Sequence, residues 1–138
     1  STALTFQDYT FREYSIIEGN ETLDYSGNQV TSIPRWMSIN SVHLQFPHHL
    51  GLNIMHNYIS SIPLNDANTT YANYFHLVQA KAYWKLPIQR AKNIQLFAGA
   101  DNILNQTYSL GSDINAFGGR FFNAAPTRNY YGGLSVEW

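Results

Sequence analysis

Tyr130-Tyr131-Gly132-Gly133-Leu134-Ser135-Val136-Glu137-Trp138 is the stretch whose reading decides the fold. Successive side chains of a β-strand point to opposite faces. Tyr130, Leu134, Val136 and Trp138 therefore share one face, with Gly132 as a small gap among them, while Tyr131, Gly133, Ser135 and Glu137 share the other. An apolar row backed by a small or polar row, a glycine in mid-strand and a final aromatic describe a strand with two different solvents on its two sides. Soluble domains rarely end in this way.

Outward from that strand the same alternation recurs, and it predicts an all-β antiparallel up-and-down meander of about six strands over residues 3–16, 35–46, 50–61, 73–86, 93–105 and 128–138. The fourth is the clearest: Val78, Ala80, Ala82, Trp84 and Leu86 fall on one face, and Gln79, Lys81, Tyr83 and Lys85 on the other. The third sets Leu50, Leu52, Ile54 and Tyr58 against Gly51, Asn53 and Asn57, with His56 the polar exception on the apolar side. The second changes parity, from Met37 and Ile39 to Val42, Leu44 and Phe46, which predicts a bulge near Asn40. Pro34, Pro47, Pro63, Pro87 and Pro126 punctuate the segments, because proline cannot donate to a ladder.

Composition agrees. Aromatic residues make up 15% of the chain and charged residues 12%, about half the globular norm of roughly 25%. No apolar run approaches the roughly 18 residues of a membrane helix, so hydrophobicity is dispersed by alternation. Eight basic and nine acidic residues give a formal net charge of -1 without blocks, which argues against a nucleic-acid partner. Zero cysteines rule out a disulfide framework and thiolate zinc sites. The chain opens as strand, Ser1-Thr2-Ala3-Leu4-Thr5-Phe6, rather than as a secretion signal, as expected of a processed chain or a segment.

The connections alternate in length. Pro47-His48-His49 and Pro87-Ile88-Gln89-Arg90-Ala91-Lys92 are short, whereas residues 17–34, 62–72 and 106–127 form long connections rich in Asn, Gly, Ser, Thr and Asp. Short turns at one end and long loops at the other are the pattern of a transmembrane β-barrel wall.

Three segments then carry a family resemblance. Gly27-Asn28-Gln29-Val30-Thr31-Ser32-Ile33-Pro34-Arg35-Trp36 resembles the Gly-Asn, spacer, Pro-basic-aromatic segment of TonB-dependent outer-membrane receptors. Asp101-Asn102-Ile103-Leu104-Asn105-Gln106-Thr107-Tyr108 is similar to their Glu-Asn-Leu-Phe-Asp-x-x-Tyr element, departing at Leu104 and Asn105. Phe117 through Leu134 resembles their last loop and closing strand, and Trp138 stands where a terminal phenylalanine is commoner. The resemblance implies that residues 1–138 are the carboxy-terminal part of a plugged barrel of about 22 strands. The plug and the earlier strands are absent from the sequence. It further implies a bacterial outer-membrane location and import of a scarce nutrient such as an iron chelate, siderophore-mediated iron uptake being the family habit. The implied partners are outer-membrane lipid, the remaining barrel strands and plug, TonB through the absent plug region, and the barrel-assembly machinery.

In that frame Arg120, Phe121 and Phe122 of the last loop are the ligand-binding candidates. Tyr130, Gly133, Leu134, Val136 and Trp138 are the candidate assembly signal. Tyr74, Trp84, Tyr108, Tyr130 and Trp138 read as an interfacial aromatic girdle. His43, His48, His49, His56 and His76 lack a ligand spacing supported by carboxylates, so they predict interfacial or lumen-facing polar residues and no metal or other cofactor. Ser, His and Asp are scattered without a nucleophile elbow or paired carboxylates, so no enzyme is expected. Two other readings fit the alternation: a soluble all-β module binding glycans, and a small oligomeric barrel.

Overall fold

A computed structural model of the chain describes residues 1–87 and 93–137. Its strands are β1 (Thr2–Phe6), β2 (Ser15–Glu18), β3 (Glu21–Asp24), β4 (Trp36–Phe46), β5 (Leu50–Ile59), β6 (Ile62–Pro63), β7 (Tyr71–Ala72), β8 (Phe75–Leu86), β9 (Asn93–Asp101), β10 (Ser109–Ser112), β11 (Phe122–Ala124) and β12 (Asn129–Glu137). There is no α-helix among the described residues. Six strands form one antiparallel sheet in the order β1-β4-β5-β8-β9-β12. The remaining six pair as three small hairpins, β2 with β3, β6 with β7 and β10 with β11, set in the three long connections. The sheet does not close on itself: β1 and β12 are its two edges.

The predicted meander is present, with four differences. The first strand leaves the sheet at Phe6 instead of continuing to residue 16, because Asp8 turns aside to pair with Arg35 at 3.1 Å and Ser15 starts the hairpin with β3. The fifth ends at Asp101 rather than 105, since Asn102 and Asn105 adopt left-handed φ of 49° and 52°, which Asn tolerates better than most residues. The long connections contain their own short strands. The bulge near Asn40 is absent, for β4 pairs β5 one to one from Met37 opposite Ile59 to Phe46 opposite Leu50.

The parity change has another cause, which the register exposes. Directly opposed residues share a face, so Val42, Ile54, Ala80 and Ala100 form one row, Leu44, Leu52, Ala82 and Ala98 the next, and Phe46, Leu50, Trp84 and Leu96 a third. Gly132 and Leu134 extend the last two rows onto β12. Toward the long connections the same face turns polar, with Asn40 opposite His56 and Tyr58 opposite His76. The apolar side chains there, Met37, Ile59, Phe75 and Leu77, lie on the other face, where the Phe75 ring sits 5.1 Å from Tyr108 of the third long connection. The strands thus exchange their apolar side once along their length. The row on β8 runs from Val78 to Leu86, about 27 Å at roughly 3.4 Å per residue, comparable to the apolar band of roughly 25 Å on a membrane barrel once strand tilt is counted.

The polar face is built on a repeated device. Gly51 is opposite Tyr83, Gly99 opposite Tyr131 and Gly133 opposite Phe97, and each ring lies over the glycine facing it, where a Cβ would collide with it. Lys81 Nζ stands 4.4 Å from the Phe97 ring centroid. Flat rings over glycines let neighbouring strands twist while keeping the pleat covered. At the short end, Pro47–His49 form one 3-10 turn in which His48 and His49 both have left-handed φ, and Trp84 Nε1 donates to the His48 carbonyl at 3.1 Å.

Among the described residues no apolar core underlies this sheet: the largest fully buried side chains are Leu64 and its neighbour Pro63, where the second long connection begins. By contrast Val42 is 52% and Leu134 59% exposed on the apolar face.

Candidate functional site

The three long connections converge over one end of the sheet, and Asp66 ties them together. Its run, Asn65-Asp66-Ala67-Asn68-Thr69-Thr70, is rich in residues whose short polar side chains bond nearby backbone. Asn65 Oδ1 accepts from the Thr69 and Thr70 amides at 2.9 and 3.2 Å, and Asn68 takes a left-handed φ of 54°. This tight loop holds the Asp66 carboxylate between its neighbours. Tyr14 Oη donates to Oδ2 at 3.2 Å, Asn115 Nδ2 donates to Oδ2 at 2.9 Å, and Thr31 Oγ1 donates to Oδ1. The Asp66 amide donates to Asn115 Oδ1 at 3.0 Å and its carbonyl accepts from Asn28 Nδ2 at 2.8 Å. Backbone bonds reinforce the junction, from Ser32 N to the Pro63 carbonyl and from Asn115 N to the Leu64 carbonyl, each 2.9 Å. Leu64 is buried beside this knot. The result is a canopy in which the first, second and third connections form one hydrogen-bonded unit.

Beside Asp66 opens a cleft of about 510 Å³, within the range of roughly 300–1,000 Å³ of small-molecule sites. Tyr14, Ile16, Glu18 and Tyr25 line it from the first connection, Asn65, Asp66 and Ala67 from the second, and Asn115, Ala116 and Phe121 from the third. The hydrogen bond to Asp66, then partial desolvation, then the Asp66 charge hold the Tyr14 phenol above its ordinary pKa of 10.0, so it stays a neutral donor. Nearby, the Ser26 hydroxyl and amide keep Asp24 below the usual 3.8 and ionised.

Of the three predicted ligand contacts, Phe121 lines this cleft, half-buried. Arg120 is exposed and follows the 3-10 turn at Phe117–Gly119, and Phe122, 59% exposed, begins β11; neither lines the cleft. Asn28 and Thr31 belong to the segment 27–36 noted in the sequence, though without a site role; Tyr14, Asp66 and Asn115 carry no expectation there, and the density of Asn, Asp and Thr in residues 65–70 is the one available signal. Tyr130, Leu134 and Val136 sit exposed on the edge strand β12 and Gly133 faces Phe97; Trp138 and the turn residues 88–92 lie outside the described residues.

The Asp101–Tyr108 element is a clip. Asn102, only 3% exposed, donates through Nδ2 to the Gln106 and Pro126 carbonyls at 2.8 and 3.3 Å and accepts the Gln106 amide on Oδ1 at 2.8 Å. Asn105 Oδ1 accepts from the Arg128 amide at 3.1 Å. Both ends of the third connection are thereby fixed to the top of β9 and β12.

The histidines divide between faces. His56 Nε2 and His76 Nδ1 are 3.0 Å apart, with Asn40 Nδ2 3.3 Å from His56 Nδ1, all on the face that is apolar further along the strands. His43 lies on the opposite face, bonded to Asn53 and stacked on Tyr83. Among the described residues no three His, Asp or Glu side chains converge as a metal centre.

An open antiparallel meander with one exposed apolar face, the short Pro47–His49 turn at one end and a knotted loop canopy at the other has the architecture of a stretch of β-barrel wall. No protein-family model matches the sequence. Among solved structures the chain is similar to the siderophore receptor PiuA of Acinetobacter baumannii, with a TM-score of 0.79 over 96% of this chain at 16% identity. At that identity the likeness is one of fold. The chain spans 18% of the length of that receptor.

Proposed function

We propose that this chain is the carboxy-terminal part of the β-barrel of a bacterial outer-membrane receptor of the TonB-dependent type, importing a scarce nutrient, in the first instance an iron chelate. One observation carries the reading: the sheet presents an apolar face with no core beneath it, backed by a polar face, over a height suited to a bilayer. In water such a contiguous apolar patch is a liability. Against lipid it is the stable arrangement. The open edges at β1 and β12 must find partners there, because unpaired backbone groups in hydrocarbon cost several kcal/mol each.

In this reading the lipid meets Val78, Ala80, Ala82, Trp84 and Leu86, while Gln79, Lys81 and Lys85 face the lumen and the plug. The canopy faces outward, and Phe121 is the best supported of the three ligand contacts. TonB would be engaged by a plug region rather than by this wall, whose part is to enclose the plug and not to perform chemistry. The test is fractionation of cells expressing the tagged protein, combined with uptake of a labelled ferric chelate under iron limitation. The proposal expects heat-modifiable protein in the outer membrane and lost uptake on gene deletion. Recovery in the soluble fraction would overturn it.

A further inference from the structure

We infer that the canopy cleft recognises a positively charged group, so that its ligand is a chelate presenting a protonated amine rather than a polyanionic one; this rests on the receptor reading given above. The first observation is the lining: it contributes the carboxylates of Glu18 and Asp66 and contains no Lys, Arg or His. Asp66 is held in place by the three side-chain donors that its carboxylate accepts from. Glu18 is exposed, and its carboxylate has no hydrogen-bond or ion-pair partner among the described residues and is available to a ligand.

The second observation is the wall. Tyr14, Tyr25 and Phe121 expose aromatic surface to the cleft, with the Tyr14 and Tyr25 ring centroids 5.8 Å apart. Aromatic faces attract cations through their quadrupole.

Independently, charge is segregated along the chain. The segments from Gln7 to Arg35, 60 to 74 and 102 to 128 hold Asp8, Glu13, Glu18, Glu21, Asp24, Asp66 and Asp113 against Arg12, Arg35, Arg120 and Arg128, while Lys81 and Lys85 sit low on β8. Asp8 and Arg35 neutralise each other, and Arg128 is turned back onto the Ile103 carbonyl at 3.3 Å. A nearly neutral chain thus carries an acidic outer end, and a mouth of one sign concentrates ligands of the other.

The experiment measures binding to the protein in outer-membrane vesicles of three probes: a ferric tris-hydroxamate with one free ammonium, the same chelate with that amine acetylated, and a polyanionic ferric tris-catecholate. The ammonium form is expected to bind about tenfold more tightly than its acetylated twin, the worth of one cation held by a carboxylate and aromatic faces. That advantage should shrink with added salt and vanish in Glu18→Gln, whereas Glu137→Gln, at the far end of β12, leaves it intact. Equal binding of the acetylated twin, or tighter binding of the catecholate, overturns the inference and leaves the receptor reading standing. Binding of none of the three, with no chelate uptake by cells, overturns both.

Discussion

Asp66 joins the three connections, because its carboxylate in the second accepts from Tyr14 and Thr31 of the first and from Asn115 of the third. Asp66→Asn keeps the volume but turns one acceptor oxygen into a donor that faces the Asn115 and Tyr14 donors. Leaving such groups mismatched should cost about 1–3 kcal/mol of canopy stability, read as faster proteolysis within residues 17–34 and 106–127 while the sheet stays intact. Tyr14 gives the pH dependence of the same knot. Its folded pKa is raised above 10.0, so its contribution is complete below that value and is lost as pH rises through the raised one. Canopy protection measured across alkaline pH should therefore fall more in the unmodified protein than in Tyr14→Phe, where that ionisation is gone; identical profiles would place the sensitivity elsewhere. On the sheet, Gly99 is the least replaceable glycine. A Cβ there would stand 2.5 Å from the Tyr131 ring and 2.9 Å from the Ala80 carbonyl, which cannot swing away. Gly99→Ala should cost about 1–3 kcal/mol in urea unfolding, against little for Gly111→Ala, whose Cβ meets nothing within 4 Å.

At the scale of strands, the decisive property is which side of each ladder is apolar. Ala82 lies between Leu52 and Ala98, and Gln79 is opposite Met55 on the reverse face. Arg at Ala82 should cost on the order of 2–4 kcal/mol if the residue lies near the bilayer midplane, and much less at Gln79; equal tolerance in a folding titration would mean the faces are exchanged. Period-two alternation made four of the six strands legible nearly to the residue, since burying one face forces register and a slip would flip every side chain. The first strand was not, because Asp8, Arg12 and Glu13 interrupt a pattern that Tyr9 and Phe11 superficially continue. The parity change in β4 was visible as Met37 and Ile39 against Val42, but its meaning needed β5 and β8, where the exchange recurs between Ile54 and Met55 and between Leu77 and Val78. The canopy was almost illegible. Its contacts join Tyr14, Asp66 and Asn115, far apart in sequence, and such polar pairings leave no periodic trace; only Phe121 was anticipated.

At the scale of the molecule, the described residues form a sheet with two open edges, an apolar side and an acidic canopy end, an arrangement ill suited to water and consistent with a stretch of barrel wall. Its edge strand β12 exposes Tyr130, Leu134 and Val136 in a row, the arrangement by which an extended strand adds to another sheet through its main chain. On the proposed barrel reading, Trp138→Asp should reduce the amount of heat-modifiable barrel far more than Trp138→Phe; unchanged assembly with Trp138→Asp would remove the signal role from this end of the chain. The most direct test of the wall itself uses the absence of cysteine from the sequence. Single spin-labelled cysteines at each position from Phe75 to Leu86, in the protein in its native membrane, report exposure to oxygen dissolved in lipid against a water-soluble nickel chelate. The account predicts alternation with period two, with oxygen favoured at residues 78, 80, 82, 84 and 86, the chelate favoured between them, and loss of the lipid signal at residue 76. Uniform aqueous access along the strand, or oxygen favoured at the odd positions, would contradict it.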